Sequence, residues 1–319
     1  MEEKILDMQA PIISSYTSYG VLFSIMPETT WPWIMNHFIQ IRYECGWGIF
    51  AFDNHQMFLS YCPCLESYIV PRKILKSYYK KSFKEFIIEV INQDNYLFLY
   101  VDRYYLPVFS KFHNKHSIHE LLIYGYNLEK NEVYIADNLP NGKFGKAVCS
   151  FEEIFKAYWG INDESPDFQT QFLVIKQNPK IKCELDMEQI RLSLKNMIES
   201  RPTIDLFNPQ EHKFGFEALE YMKVYTEEFF KKNHQIDIRP FHFMYEHIIL
   251  MKLRVEYLFK ESKCIEIQEI NKRLEELEDE YTHIRNKSIK DNITRRFENI
   301  DEISNKLEKI IRDEEKVNE

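Results

Sequence analysis

Residues 116–138, HSIHELLIYGYNLEKNEVYIADN, decide how the rest of the chain is read. His119 stands at the mouth of an apolar run that ends at Gly125 and Tyr126, a polar turn covers Asn127 to Asn131, and a second run, Val133 to Ala136, delivers Asp137. Two short runs rich in aromatic and β-branched residues around such a turn predict a β-hairpin. Folded so, the hairpin sets an imidazole beside a carboxylate, the base-and-orienter half of a nucleophilic triad. The nucleophile has to come from another part of the chain.

Working outward, Tyr96 to Tyr105 is an apolar and aromatic strand interrupted by Asp102 and Arg103 and stopped by Pro107. Trp47 to Phe52 reads as a short strand closed by the turn signal Asp53-Asn54. Residues 72 to 92 carry apolar residues on one face and lysines on the other, which predicts one amphipathic helix. Ser150-Phe-Glu-Glu153 is a capping box opening the helix FEEIFKAYW, which Gly160 stops, and Gln171 to Lys176 is a last strand. Towards the N-terminus, residues 11–26 pass from a polar cluster into Val21, Leu22, Ile25 and Met26 at helical spacing, a loop running into a helix. Pro32 suits the first turn of a second helix, capped by Thr29 or Thr30. Strands and helices in this order predict an α+β domain with an antiparallel sheet over residues 1–180.

Past Pro179 the pattern becomes helical. Ile190, Leu194 and Met197, then Phe216, Leu219 and Met222, then Ile248, Met251 and Leu258 recur at helical spacing, with Pro202, Pro209 and Pro240 as punctuation. From about Glu266 to Lys316 the chain is charged, with Ile270, Leu274, Leu277, Tyr281 and Ile284 in a sparse stripe. Residues 181–319 are thus expected to be an all-helical domain with a long charged arm, packed on itself or forming a homodimer interface through its helices.

The 319 residues suit two domains, and 45% hydrophobic residues with only 8 glycines suffice for a packed core. A formal charge of -9 disfavours nucleic acid as a partner. No apolar run is long enough to span a membrane, and MEEKILDMQA lacks the basic start and apolar core of a signal peptide, so a soluble, cytoplasmic protein is expected. The six cysteines have no paired CxxC spacing and read as structural thiols. His113, His116 and His119 recur every third residue, a metal-like spacing on a helix, but here they lie on a loop entering a strand, where such side chains diverge. No metal and no cofactor are expected.

HELLIYGY at 119–126 resembles the papain-like pattern, in which a catalytic histidine opens a strand running to a Gly-Tyr pair and an Asn or Asp on the next strand holds it. More closely, VDRYYLP at 101–107, followed by HSIHELLIYGYN and VYIAD, resembles the butirosin biosynthesis protein H-like N-terminal domain family. The resemblance covers roughly residues 10–180. It implies a papain-like fold with a helical extension, and an acyltransferase or amide-bond-forming role on carrier-protein thioesters in bacterial natural-product biosynthesis. The implied partner is an acyl or peptidyl carrier protein. The family has a cysteine at the start of the first helix, but Ser14 to Gly20 contains none; the spacing of Leu22 and Ile25 puts Thr17 nearest to that position, with Ser18 beside it. The enzyme reading assigns His119 as base, Asp137 as orienter, the hydroxyl of Thr17 or Ser18 as nucleophile, and helix N-terminal amides near residues 18–20 as oxyanion donors. Tyr19, His116, Asp102 and Arg103 would then contact substrate. The rival is a catalytically altered or inactive scaffold or binding protein, favoured because an alcohol is far harder to deprotonate than a thiol. Cys45, in YECGWG, is a displaced thiol lying after the second helix.

Overall fold

The computed structural model describes residues 2–55, 57–78, 82–204, 208–260, 264–297 and 300–318. In chain order the elements begin with strand β1 (Glu3–Ile5), helices α1 (Thr17–Ile25) and α2 (Trp31–His37), strands β2 (Ile41–Glu44) and β3 (Ile49–Phe52), helix α3 (Phe58–Tyr61) and strand β4 (Leu65–Val70). Helices α4 (Arg72–Tyr78) and α5 (Phe83–Asn92) lead to strands β5 (Tyr96–Asp102), β6 (Ile118–Asn127), β7 (Glu132–Asn138) and β8 (Phe144–Ser150), then α6 (Phe151–Trp159), α7 (Asp167–Thr170) and β9 (Phe172–Gln177). The remainder is α8 (Met187–Ile198), strand β10 (His212–Phe214), α9 (Gly215–Asn233), α10 (Arg239–Phe259), α11 (Ile265–Thr294) and α12 (Ile300–Asn318). Mixed helix and antiparallel sheet make the fold α+β.

The chain divides into two compact units, one of residues 1–30 and 56–183, the other of residues 31–55 and 184–319. In the first, the sheet runs β4-β9-β5-β6-β7-β8, with β1 also paired to β6. The hairpin read from the sequence is β6 and β7, with Leu122 opposite Ala136. All nine residues of α1 are buried, and it packs on β6 and β7. A helix apolar or small all round belongs inside a core rather than on a surface. Ser150 caps α6 in a complete capping box, its side chain accepting from the Glu153 amide. Arg72 closes the other end of α6, donating to the Tyr158 and Ile161 carbonyls with its guanidinium 4.8 Å from the Tyr158 ring centroid. The single helix expected over residues 72–92 is two, α4 and α5. The second has its own packing, because Phe83 stacks on Tyr158 at 5.6 Å and Phe86 meets Phe172 at 5.5 Å.

The second unit is mostly helical, as expected of the C-terminal region, and it also holds a small sheet. β2 pairs with β3 and with β10 in a three-stranded antiparallel sheet, His212 lying opposite Glu44. Residues 31–55, counted with the N-terminal domain in the sequence, cluster here for the same reason, and because α10 satisfies the carbonyls where α2 ends. Arg254 donates to Met35 and Phe38 at 2.8 and 2.7 Å, and His247 Nε2 lies 2.9 Å from the Ile39 carbonyl. Gly215 has φ +49° and sits so near α8 that a Cβ there would be 1.9 Å from the Met197 carbonyl oxygen, so only glycine fits. Leu274, Leu277, Tyr281 and Ile284 of the expected arm are buried, and α11 packs on α10 and α12. Among the described residues no helix is long and apolar enough to cross a membrane.

Candidate functional site

The backbone order places Thr17 at the first position of α1, after Tyr16 in extended conformation. Gly20, one turn in, brings the helix against the β7–β8 hairpin: a Cβ there would lie 2.4 Å from the Phe144 ring. β7 carries Asp137 to the same place, fully buried. The Thr17 hydroxyl donates to Asp137 Oδ1 at 2.7 Å, and the Asn138 amide donates to the same oxygen at 2.6 Å. Arg103, just past the end of β5, donates to Oδ2 at 2.6 Å, its side chain 15% exposed and its guanidinium 4.3 Å from the Phe109 ring centroid. A buried carboxylate with an ion-pair partner and two further donors is satisfied, as its desolvation demands.

His119 opens β6 with its ring half-exposed. Its Nδ1 lies 3.2 Å from the Glu120 carbonyl and 3.6 Å from Asp137 Oδ1, and the second distance is too long for a hydrogen bond. A carbonyl only accepts, so Nδ1 bears the proton and Nε2 the lone pair. Burial lowers the imidazole pKa, Asp137 opposes that, and Arg103 lowers it further, which keeps the ring neutral at neutral pH. Among the described residues no hydrogen bond joins Thr17 to His119.

The residue that sequence reasoning missed is Glu120. Its Oε2 accepts from the Ser18 amide at 3.1 Å and its Oε1 from the Tyr100 hydroxyl at 3.0 Å. Burial pushes its pKa up to about 7, partly offset by the Tyr100 bond, and nearby Asp137 raises it further. A carboxylate inside the apolar run HELLIYGY was the available signal, since an acid in a strand core needs partners. Two of the amides expected to hold an oxyanion are taken: the Ser18 amide donates to Glu120, and the Gly20 amide to the Tyr16 carbonyl.

Thr17, Asp137, Arg103, His119 and Glu120 therefore converge. Ser18 shares the helix end through its amide, with its side chain buried. Tyr19 does not face an approach; it is wholly buried against Tyr16 and Phe58, because α1 is enclosed on all sides. Asp102 and His116 form a separate pair at 2.5 Å, Asp102 also accepting from the Tyr104 and Ser117 amides, and His116 stacks on Tyr104 at 4.2 Å. They stitch together the two ends of the loop between β5 and β6. Cys45 is exposed and belongs to the other unit. Among the described residues no group of three or more His, Cys, Asp or Glu could hold a metal ion.

Chemically, a triad requires the nucleophile's proton to point at the imidazole and the imidazole to be held by the carboxylate. Here the hydroxyl and the guanidinium both point at the carboxylate. The imidazole stands alongside with a free Nε2.

Residues 47–138 match the family model described as butirosin biosynthesis protein H, N-terminal. The matched segment contains Asp102, Arg103, His119, Glu120 and Asp137, and it begins after Thr17 and α1. No curated protein matches the chain.

Proposed function

We propose that this chain serves natural-product biosynthesis of the butirosin type as a binding protein for an acyl or peptidyl carrier protein, on a papain-like unit that forms no acyl-enzyme. The family match supports the biosynthetic setting. The observation that carries the non-covalent reading is the Thr17 hydroxyl, 1% exposed and donating to Asp137 while Arg103 occupies the other carboxylate oxygen. A nucleophile so placed reaches neither solvent nor its base, and the amide that would hold an oxyanion already binds Glu120. The His119 side chain then acts as a neutral acceptor at the rim.

Incubation with an acylated carrier protein tests this. Native mass spectrometry is expected to find a non-covalent complex and an unchanged chain mass; an acyl adduct that disappears in Thr17→Ala overturns the reading.

A second reading, a papain-like acyltransferase or amide-forming enzyme, is favoured by one observation: His119 Nδ1 lies only 3.6 Å from Asp137 Oδ1, the same oxygen that accepts from Thr17 at the start of α1. Catalytic hydrogen bonds are often long before substrate binds. Acyl transfer to an amine by the wild type that is lost in His119→Ala would establish it.

A further inference from the structure

Residues 103–117 join β5 to β6, and residues 139–143 join β7 to β8. Both loops leave the sheet at the end where His119 and Asp137 sit, since Asp102 is opposite Ile118 and Asn138 opposite Phe144. Arg103 bridges them through Asp137 and the Asn138 carbonyl. From 103 to 119 and from 138 to 151 the chain contains Arg103, Lys111, Lys115, Lys143 and Lys146 and no Asp or Glu. In a chain of net charge -9 that is a local reversal of sign.

Lys146 stands over the Tyr124 ring, 5.3 Å from its centroid. Lys111, Lys115, Lys143 and Lys146 are exposed. No ion pair involves them among the described residues. The carboxylates nearest in sequence are engaged: Asp102 with His116, Asp137 with Arg103, Glu120 with Tyr100 and Ser18, Glu152 with Lys156, and Glu153 with the Ser150 amide. At the tip Phe112 is 38% exposed and stacks on His113 at 3.9 Å, an apolar spot among the lysines.

We infer that these two loops form the docking face for an acidic protein surface, one presenting carboxylates around a small apolar contact. The inference rests on the carrier-binding reading and names the face that performs it. Dispersed lysines are point charges suited to steering and orienting a partner rather than to large affinity. Nucleic acid fits less well, because the acidic remainder repels an extended polyanion.

The experiment measures binding of a purified acidic acyl carrier protein to the full chain by calorimetry at low and high salt. It compares the wild type with Lys111→Glu/Lys115→Glu/Lys143→Glu, and with the control Lys231→Glu/Lys232→Glu, whose lysines are exposed in the second unit. All the exchanged side chains are exposed, so folding is retained and is checked by thermal melting. Expected are a wild-type Kd that rises with salt, a loss of about tenfold or more in the triple variant, and wild-type affinity in the control. Carrier binding that ignores both salt and the triple reversal overturns the docking face and leaves the carrier-binding reading standing. A wild-type chain that binds no carrier at either salt overturns both. Tighter binding of a single-stranded oligonucleotide than of the carrier, lost in the triple variant, assigns the face to nucleic acid and overturns the inference.

Discussion

Arg103→Met is the substitution that probes the site most directly. Met keeps an unbranched stem for the Phe109 contact and removes the cation from Asp137, which is fully buried and 2.6 Å from it. Removing one partner of a buried ion pair costs about 3–5 kcal/mol, because the other charge is left unpaired. Asp137 keeps two donors, Thr17 and the Asn138 amide, both on Oδ1, and Arg103 is 15% exposed, so water can reach its place. Both facts favour the lower end, about 3 kcal/mol. With a urea m-value of about 2 kcal/mol/M, the first unit's unfolding midpoint falls by about 1.5 M. A double-mutant cycle with Asp137→Asn completes the test: the double variant should be less damaged than the sum of the singles, since it leaves no lone charge. A loss below about 1 kcal/mol in Arg103→Met, or strictly additive losses, would refute the claim that this pair organises the site.

Four further outcomes are expected. Thr17→Val, nearly isosteric, should lose about 1–3 kcal/mol in chemical denaturation from the broken buried bond to Asp137, with carrier binding unchanged by calorimetry. Glu120, with a folded pKa of about 7 above its ordinary value of 4.5, favours folding most below pH 4.5 and loses that contribution as pH rises through 7. Glu120→Gln should therefore gain on the wild type between pH 5 and pH 8 in thermal melts, and parallel profiles would contradict the assignment. Ser150→Ala should cost about 1 kcal/mol through loss of the capping box, read from the first unit's denaturation midpoint. Gly215→Ala combines a strained φ with a clash against the Met197 carbonyl and should destabilise the second unit by about 2 kcal/mol or more, seen as a lower melting temperature.

The hairpin was legible because its pattern is local: apolar alternation, a polar turn and a capping box each act over a few residues. The helix beginning within residues 11–26 was legible for the same reason, from Val21, Leu22, Ile25 and Met26, whereas Thr17 was singled out through the family resemblance. What each group bonds to was not. Nothing in the spacing says that the Thr17 hydroxyl turns to Asp137 or that Arg103, seven positions past the start of β5, reaches the same carboxylate, since these bonds join residues far apart in sequence. The strands that escaped notice are β1, β2, β4, β8 and β10. β4 and β8 are the outer strands of the path, where one side lacks a neighbour and a continuous apolar run is not required. β10 has three residues, and its pairing with β2 rather than its own composition makes it a strand. The charged stripe of α11 was read correctly as helical, yet only the packing shows that α10 and α12 cover it.

The allocation of residues 31–55 to the second unit bears on how the chain emerges from the ribosome. Ile41–Glu44 must wait for His212–Phe214 to complete its sheet, and the carbonyls of Met35 and Phe38 for Arg254. At 5–20 residues per second the longer wait, from Phe38 to Arg254, is about 10–40 s. During it the nascent chain holds an aromatic, strand-forming segment, IRYECGWGIFAF, with no finished place to go. The first unit is interrupted in sequence by residues 31–55. Release of a chain cut at residue 180 should accordingly yield an aggregating product, whereas a chain that also carries β10 and α10 should not.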